Sequence, residues 1–139
     1  MARRKSRELA FILLFERCFD ETDMQDIIDR AIEARDIEPD EFAIRLAQGA
    51  DDCRVQSDAL IEEFSHRWSK NRLSKVALAI LRLALYEMLY VDESPVSVAI
   101  NEAIELAKMY GEDDEPPFIN GILGAVARKN GETVEEIGE

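Results

Sequence analysis

The stretch KVALAILRLALYEMLY, running from Lys75 to Tyr90, decides the fold. It is apolar on nearly every side, and its only interior charges are Arg82 and Glu87. A surface helix confines its apolar residues to one stripe, whereas a helix that is hydrophobic all round is one that other elements cover. The stretch therefore predicts a buried central helix, with Leu81 and Leu85 as structural core positions. Its longest apolar run, Val76 to Ala84, is broken at Arg82 and falls well short of the roughly 20 residues a membrane-spanning helix needs.

Outward from this segment the helical signals continue, with no strand alternation. Ser94-Pro95 supplies an N-cap and first-turn pair for a sixth helix carrying Val98, Ala99, Ala103, Leu106, Ala107 and Tyr110, stopped by Gly111. The acidic turn Glu112 to Glu115 and Pro116-Pro117 open a seventh, through Phe118, Ile122, Leu123 and Val126. Gly121 and Gly124 on one face of that helix read as permitting close helix packing. Their GXXG spacing matches a backbone-clamping loop, but the residues between them are apolar and no strands flank them. On the other side, the polar break Ser69 to Ser74 follows a fourth helix marked by Val55, Leu60, Ile61, Phe64 and Trp68. A third opens near Pro39, Asp40 and Glu41 and carries Phe42, Leu46 and Ala50. Thr22, with Gln25 three residues on, reads as a capping box for a second helix through about Ala34. Residues 4–19 form the first, with Leu9, Ala10, Leu13, Leu14 and Cys18 at helical spacing. No repeat or linker appears. The expectation is an all-α fold of about seven helices in a single domain over residues 1–139, with 130–139 a frayed tail.

Charge is the most informative bulk property. The formal net charge is −13, which sets the chain as a whole against a polyanionic ligand. The charge is segregated, however. Residues 1–17 hold Arg3, Arg4, Lys5, Arg7 and Arg17 against Glu8 and Glu16, whereas the other 122 residues carry 12 basic and 28 acidic side chains. Cations at a helix start oppose the macrodipole, so their clustering there calls for another reason, and contact with phosphate is one.

The same reading excludes several function classes. Cys18 and Cys53 lack CxxC spacing and His66 stands alone, so no metal site is expected; two lone thiols fit a reducing cytoplasm. The carboxylates from Glu112 to Glu115 lack the alternating ligand pattern of a calcium loop, and negative charge before a helix start explains them. There is no Walker loop, no GxGxxG and no recognisable nucleophile–base pair. No signal peptide is read at the basic start, because the apolar stretch behind it is short and carries Glu8, Glu16 and Arg17. Neither a cofactor nor an enzymatic activity is expected.

Three stretches together resemble the NusB family. The first is Arg3-Arg4-Lys5-Ser6-Arg7-Glu8-Leu9-Ala10 with Leu14-Phe15. The second runs from Ile80 to Leu89, then Pro95-Val96 and Ala99 to Lys108. The third is Phe118-Ile119-Asn120-Gly121-Ile122-Leu123. The resemblance implies two packed helical bundles forming one compact unit. It implies binding of single-stranded boxA-type RNA from ribosomal RNA leader transcripts, jointly with the ribosomal protein NusE, inside an antitermination complex on RNA polymerase. By that resemblance Arg3, Arg4, Lys5 and Arg7 would contact the RNA backbone and Phe118 would offer a stacking face. Phe15, where the family often has tyrosine, and Ala77, where some members carry glutamate, would lie at the NusE surface. Asn101, Glu102 and Ala103 read as structural: the alanine lets helices approach, and its polar neighbours bond backbone ends. A homodimer stays open, as does a protein-only interaction module of the same fold that has lost RNA binding.

Overall fold

A computed structural model describes residues 2–35, 38–65 and 73–131. The described residues form seven helices and no strand: α1 (Ala2–Arg17), α2 (Met24–Arg35), α3 (Glu41–Asp52), α4 (Arg54–Phe64), α5 (Lys75–Tyr90), α6 (Val96–Tyr110) and α7 (Glu115–Lys129). Trp68, most of the break before α5 and the tail from 132 onward lie outside the described residues.

The caps explain where the helices start. Asp40 accepts from the Ala43 amide at 2.8 Å, and Ser74 from the Ala77 amide at 3.0 Å, each satisfying one of the orphan donors of a first turn. At α2 the capping residue is Asp23, which accepts from the Asp26 amide at 3.0 Å. Thr22, expected in that role, instead donates its hydroxyl to the Asp26 carboxylate. At α6 the helix begins one residue later than expected. The Pro95 carbonyl accepts from Val98 and Ala99, and the Ser94 hydroxyl is buried without capping.

Two bundles share one continuous core. Helices α1, α2 and α3 pack on one another, α4 to α7 do likewise, and α1 and α3 lie against α5 to join the two sets. Helix α5 is covered on nearly all sides: Ala79, Ile80, Leu81 and Leu85 are fully buried, and even Glu87 is 1% exposed. Each of its two interior charges meets an opposite one. Arg82 donates to both carboxylate oxygens of Asp58 on α4, at 2.9 and 2.8 Å, and Glu87 is held by Arg7 of α1.

Two apolar positions behave differently from their expected roles. Val55 is 72% exposed, because α4 turns Ser57, Asp58 and Ile61 inward instead. Gly121 is exposed, and a Cβ there would meet nothing within 4 Å; at Gly124 it would meet only the Arg128 guanidinium, 3.4 Å away. Neither glycine is required for close packing, since α7 presents Ile119, Ile122, Leu123 and Val126 to the core. The close approach is at Gly49 of α3, where a Cβ would overlap the Tyr86 ring of α5.

Opposite stability changes are expected at the two glycines. Gly121→Ala should stabilise by about 0.5–1 kcal/mol, since it removes the helix penalty of glycine at no steric cost. Gly49→Ala should destabilise by displacing the Tyr86 ring. Urea unfolding followed by circular dichroism reads both, and a Gly121→Ala protein no more stable than its parent would contradict the steric account.

Candidate nucleic-acid interface

Helix α1 begins with Arg3, Arg4 and Lys5 and has no acidic residue in its first turn. No first-turn carboxylate therefore offsets the unfavourable placement of cations at a helix start, and Arg3 and Arg4 find their partners on other helices. The Arg3 guanidinium rests over the Phe42 ring of α3, 3.9 Å from its centroid, a cation–π contact. Arg4 reaches α6, where its Nε and Nη2 donate to the two oxygens of Glu102 at 3.0 and 2.8 Å. This pairing holds the Glu102 carboxyl below its usual range, with burial opposing. Lys5 is more open than Arg4, its side chain 73% exposed against 58%, and its Nζ lies 3.9 Å from Glu8. Glu8 is itself claimed by the hydroxyl of Tyr110, which donates to it.

Arg7 does not belong with these surface cations. It is 6% exposed, and its Nε and Nη2 donate to Glu87 at 2.9 and 2.6 Å beneath the surface. Helical spacing explains the division. At about 100° per residue, Arg3 and Arg4 flank Arg7 by roughly 40° and 60° on opposite sides, while Lys5 points away. Arg7 enters the core, Arg3 lies on the α3 side and Arg4 on the α6 side. The expectation of four cations on RNA thus reduces to three exposed ones and a buried fourth that sets their orientation.

The remaining expected positions are spread over the molecule. Arg4 pairs with Glu102 and Glu8 with Tyr110, so α1 and α6 run side by side in the same direction. Phe118, half-buried against the core one turn into α7, follows the end of α6. Phe15 is half-buried in an aromatic row, 6.0 Å from Phe11 and 5.1 Å from Phe19. With Phe19, Arg30, Ala31 and Ala34 it lines an open groove of roughly 480 Å³ between α1 and α2. Ala77 is 1% exposed, so its side chain belongs to the core and not to a partner-facing surface. Ala103 is buried between α5 and α6, and Asn101 is exposed. Glu102 bonds a guanidinium across the molecule and not a backbone end.

Sequence reasoning missed Phe42, Glu102 and Glu87 as partners of the α1 arginines, and Tyr110 as the partner of Glu8. The signal available for Glu87 was its isolation in an apolar helix, since a buried carboxylate requires a cation. Among the described residues no cluster of histidine, cysteine or carboxylates could hold a metal ion, and no helix is long and apolar enough to cross a membrane.

A two-bundle all-α protein that presents three cations from one helix start, on an otherwise acidic body, is built as a binding adaptor. The NusB family model matches residues 4–128, and the chain belongs to the NusB family. It is 42% identical to transcription antitermination protein NusB of Acetivibrio thermocellus over 130 residues, covering 92% of this chain and 90% of that one. Among solved structures, T. maritima NusB matches with a TM-score of 0.82 and 37% identity, over 99% of this chain and 97% of that one. A complex of the antitermination factors NusB and NusE with dsRNA matches with a TM-score of 0.81 over 91% of this chain and 96% of that one. At 23% identity, this is a likeness of fold.

Two measurements check the geometry. Arg7→Ala strands Glu87 in the core and should cost about 3–5 kcal/mol in urea unfolding. A double replacement by apolar residues of similar volume, Arg7→Met with Glu87→Leu, should recover most of that loss. An Arg7→Ala protein of parental stability would contradict the buried pair. Tyr110, with its hydroxyl on the Glu8 carboxylate and partly desolvated, has its pKa pushed up to about 12. Folding favours the neutral phenol, so this stabilisation is complete below the unfolded pKa near 10 and is lost as pH rises from about 10 to about 12. Absorbance titration should find Tyr110 late, and Glu8→Gln should return it toward 10; a Tyr110 still late in that variant would exclude Glu8 as the cause.

Proposed function

We propose that this chain is a transcription antitermination factor that binds boxA-type single-stranded RNA of ribosomal RNA leader transcripts together with NusE, within an antitermination complex on RNA polymerase. The observation that carries the reading is the group Arg3, Arg4 and Lys5, exposed at one helix start of a chain whose net charge is −13. Phosphate is attracted to that end and repelled by the rest, so the charge pattern orients the ligand. Arg3, Arg4 and Lys5 contact the RNA backbone, and Arg7 supports them from below. Phe118 stacks a base, a contact of about 1–3 kcal/mol. Phe15 and the groove it shares with Phe19 take an apolar part of NusE. The chain works as one cytoplasmic domain by binding rather than catalysis. Three cations make few phosphate contacts, so affinity for RNA alone is weak and rises when NusE adds its own.

A protein-only adaptor is the second reading, favoured by the same acidic body. Titration of labelled boxA-type RNA across salt, with and without NusE, separates the two. With NusE present, log affinity should fall with log salt more steeply than for Arg3→Glu or Lys5→Glu, each of which should flatten the slope by about 0.7 for every phosphate left unneutralised. Phe118→Leu, which keeps an apolar core contact, should weaken binding without changing the slope. Capture of NusE with no RNA dependence on salt or on either reversal would establish the protein-only adaptor instead.

A further inference from the structure

The Arg4–Glu102 contact has the form of a phosphate complex. A guanidinium binds phosphate most tightly through two parallel N–H donors on one edge. In Arg4 one such edge, Nε with Nη2, is already filled by the two oxygens of Glu102 at 3.0 and 2.8 Å. The same fork joins Arg7 to Glu87, but those side chains are 8% and 2% exposed, out of reach of any ligand. The Arg4 side chain is 58% exposed and that of Glu102 only 17%. The carboxylate is thus seated on α6 while the guanidinium lies over it, open to solvent and able to swing away. Glu102 would not be abandoned by that movement. It lines a small cavity of about 10 Å³ together with Arg7 and Glu87, room for about one water molecule. Lys5 shows the contrast, since Tyr110 draws Glu8 toward itself and leaves the lysine open.

We propose that Glu102 is an internal phosphate mimic that occupies Arg4 until RNA displaces it, so that binding at this helix start is an exchange of anions. The inference rests on the reading that the α1 cations bind RNA. Its consequence is selectivity. A polyanion that touches Arg4 alone gains little, because it must replace a carboxylate already in place. An RNA held at the same time by Arg3, Lys5 and a partner protein makes the exchange at high effective concentration and completes it. Glu102 therefore suppresses stray binding and couples RNA affinity to the other contacts.

The test is fluorescence anisotropy with labelled boxA-type RNA and NusE, on the full chain, with thermal melts to establish that each variant folds. Glu102→Gln should tighten binding by about two- to fivefold, the range an exposed ion pair can withhold. Glu102→Asp keeps the charge but shortens the reach, and should tighten it in the same direction. In an Arg4→Gln background neither change should have any effect, because the energetic coupling runs through Arg4. Weaker or unchanged binding by Glu102→Gln would overturn the proposal and make Glu102 a support for Arg4. A gain that survives in Arg4→Gln would also overturn it, leaving only general repulsion. As a measurement without substitution, the Nε–H resonance of Arg4 should shift when RNA is added, and an unmoved resonance under saturating RNA counts against exchange. If neither the parent nor Glu102→Gln binds RNA, and Arg3→Glu and Lys5→Glu change nothing, the RNA reading itself has failed and this proposal falls with it. RNA binding that appears only in Glu102→Gln supports the mimic.

Discussion

The buried Arg7–Glu87 pair is the constraint from which the rest of the surface follows. A carboxylate 1% exposed in an apolar helix is tolerable only with a cation held against it in good geometry. The cation comes from α1, in the other bundle, so the demand for neutralisation joins the two halves. It also fixes the rotation of α1, since only one setting of that helix puts Arg7 over Glu87. Once that setting is fixed, the neighbours have no choice of side. Arg3 must fall toward α3 and Phe42, Arg4 toward α6 and Glu102, and Lys5 toward solvent. A contact inside the core thereby determines which charges face a ligand.

Arg82 repeats the device on another side of α5. Five residues separate it from Glu87, which at about 100° per residue puts the two charges roughly 140° apart around the helix. One is tied to α4 and the other to α1. Apolar packing is non-directional and would tolerate small rotations or slides of α5 within its sheath. Two directional bonds on well-separated faces remove that freedom. Their net contribution to stability is modest beside that of the aliphatic core, and their contribution to register is the larger one.

How much of this was legible in the sequence depends on the range of the interaction involved. Helix α5 could be read because its composition alone requires burial, and α3 because Asp40 and its acidic first turn are local signals. The start of α2 was misassigned between Thr22 and Asp23, where adjacent residues compete for one capping role. Val55 and Gly121 failed for a different reason: helical spacing says which residues share a face, but not which face meets a neighbour. The cation cluster was visible as composition. Its division into Arg3, Arg4 and Lys5 outside and Arg7 inside was not, because it is decided 80 residues away in sequence, at Glu87. Glu102, read as a local backbone partner, is 98 residues from the arginine it holds.

The acidity of the body gains a meaning from this arrangement. Taken as a total, −13 argues against any polyanion. Taken by position, it leaves the start of α1 with three exposed cations and no acidic residue in its first turn, and even there a carboxylate stands on Arg4. A protein with many free cations binds RNA of any sequence, and the salt-dependent part of its affinity carries no information. Holding those cations few and partly occupied lowers affinity, but it leaves a larger share of the binding to base stacking and to a second protein. On the proposed function, weak intrinsic binding follows from the pair that occupies Arg4, on a helix whose setting the Arg7–Glu87 pair fixes.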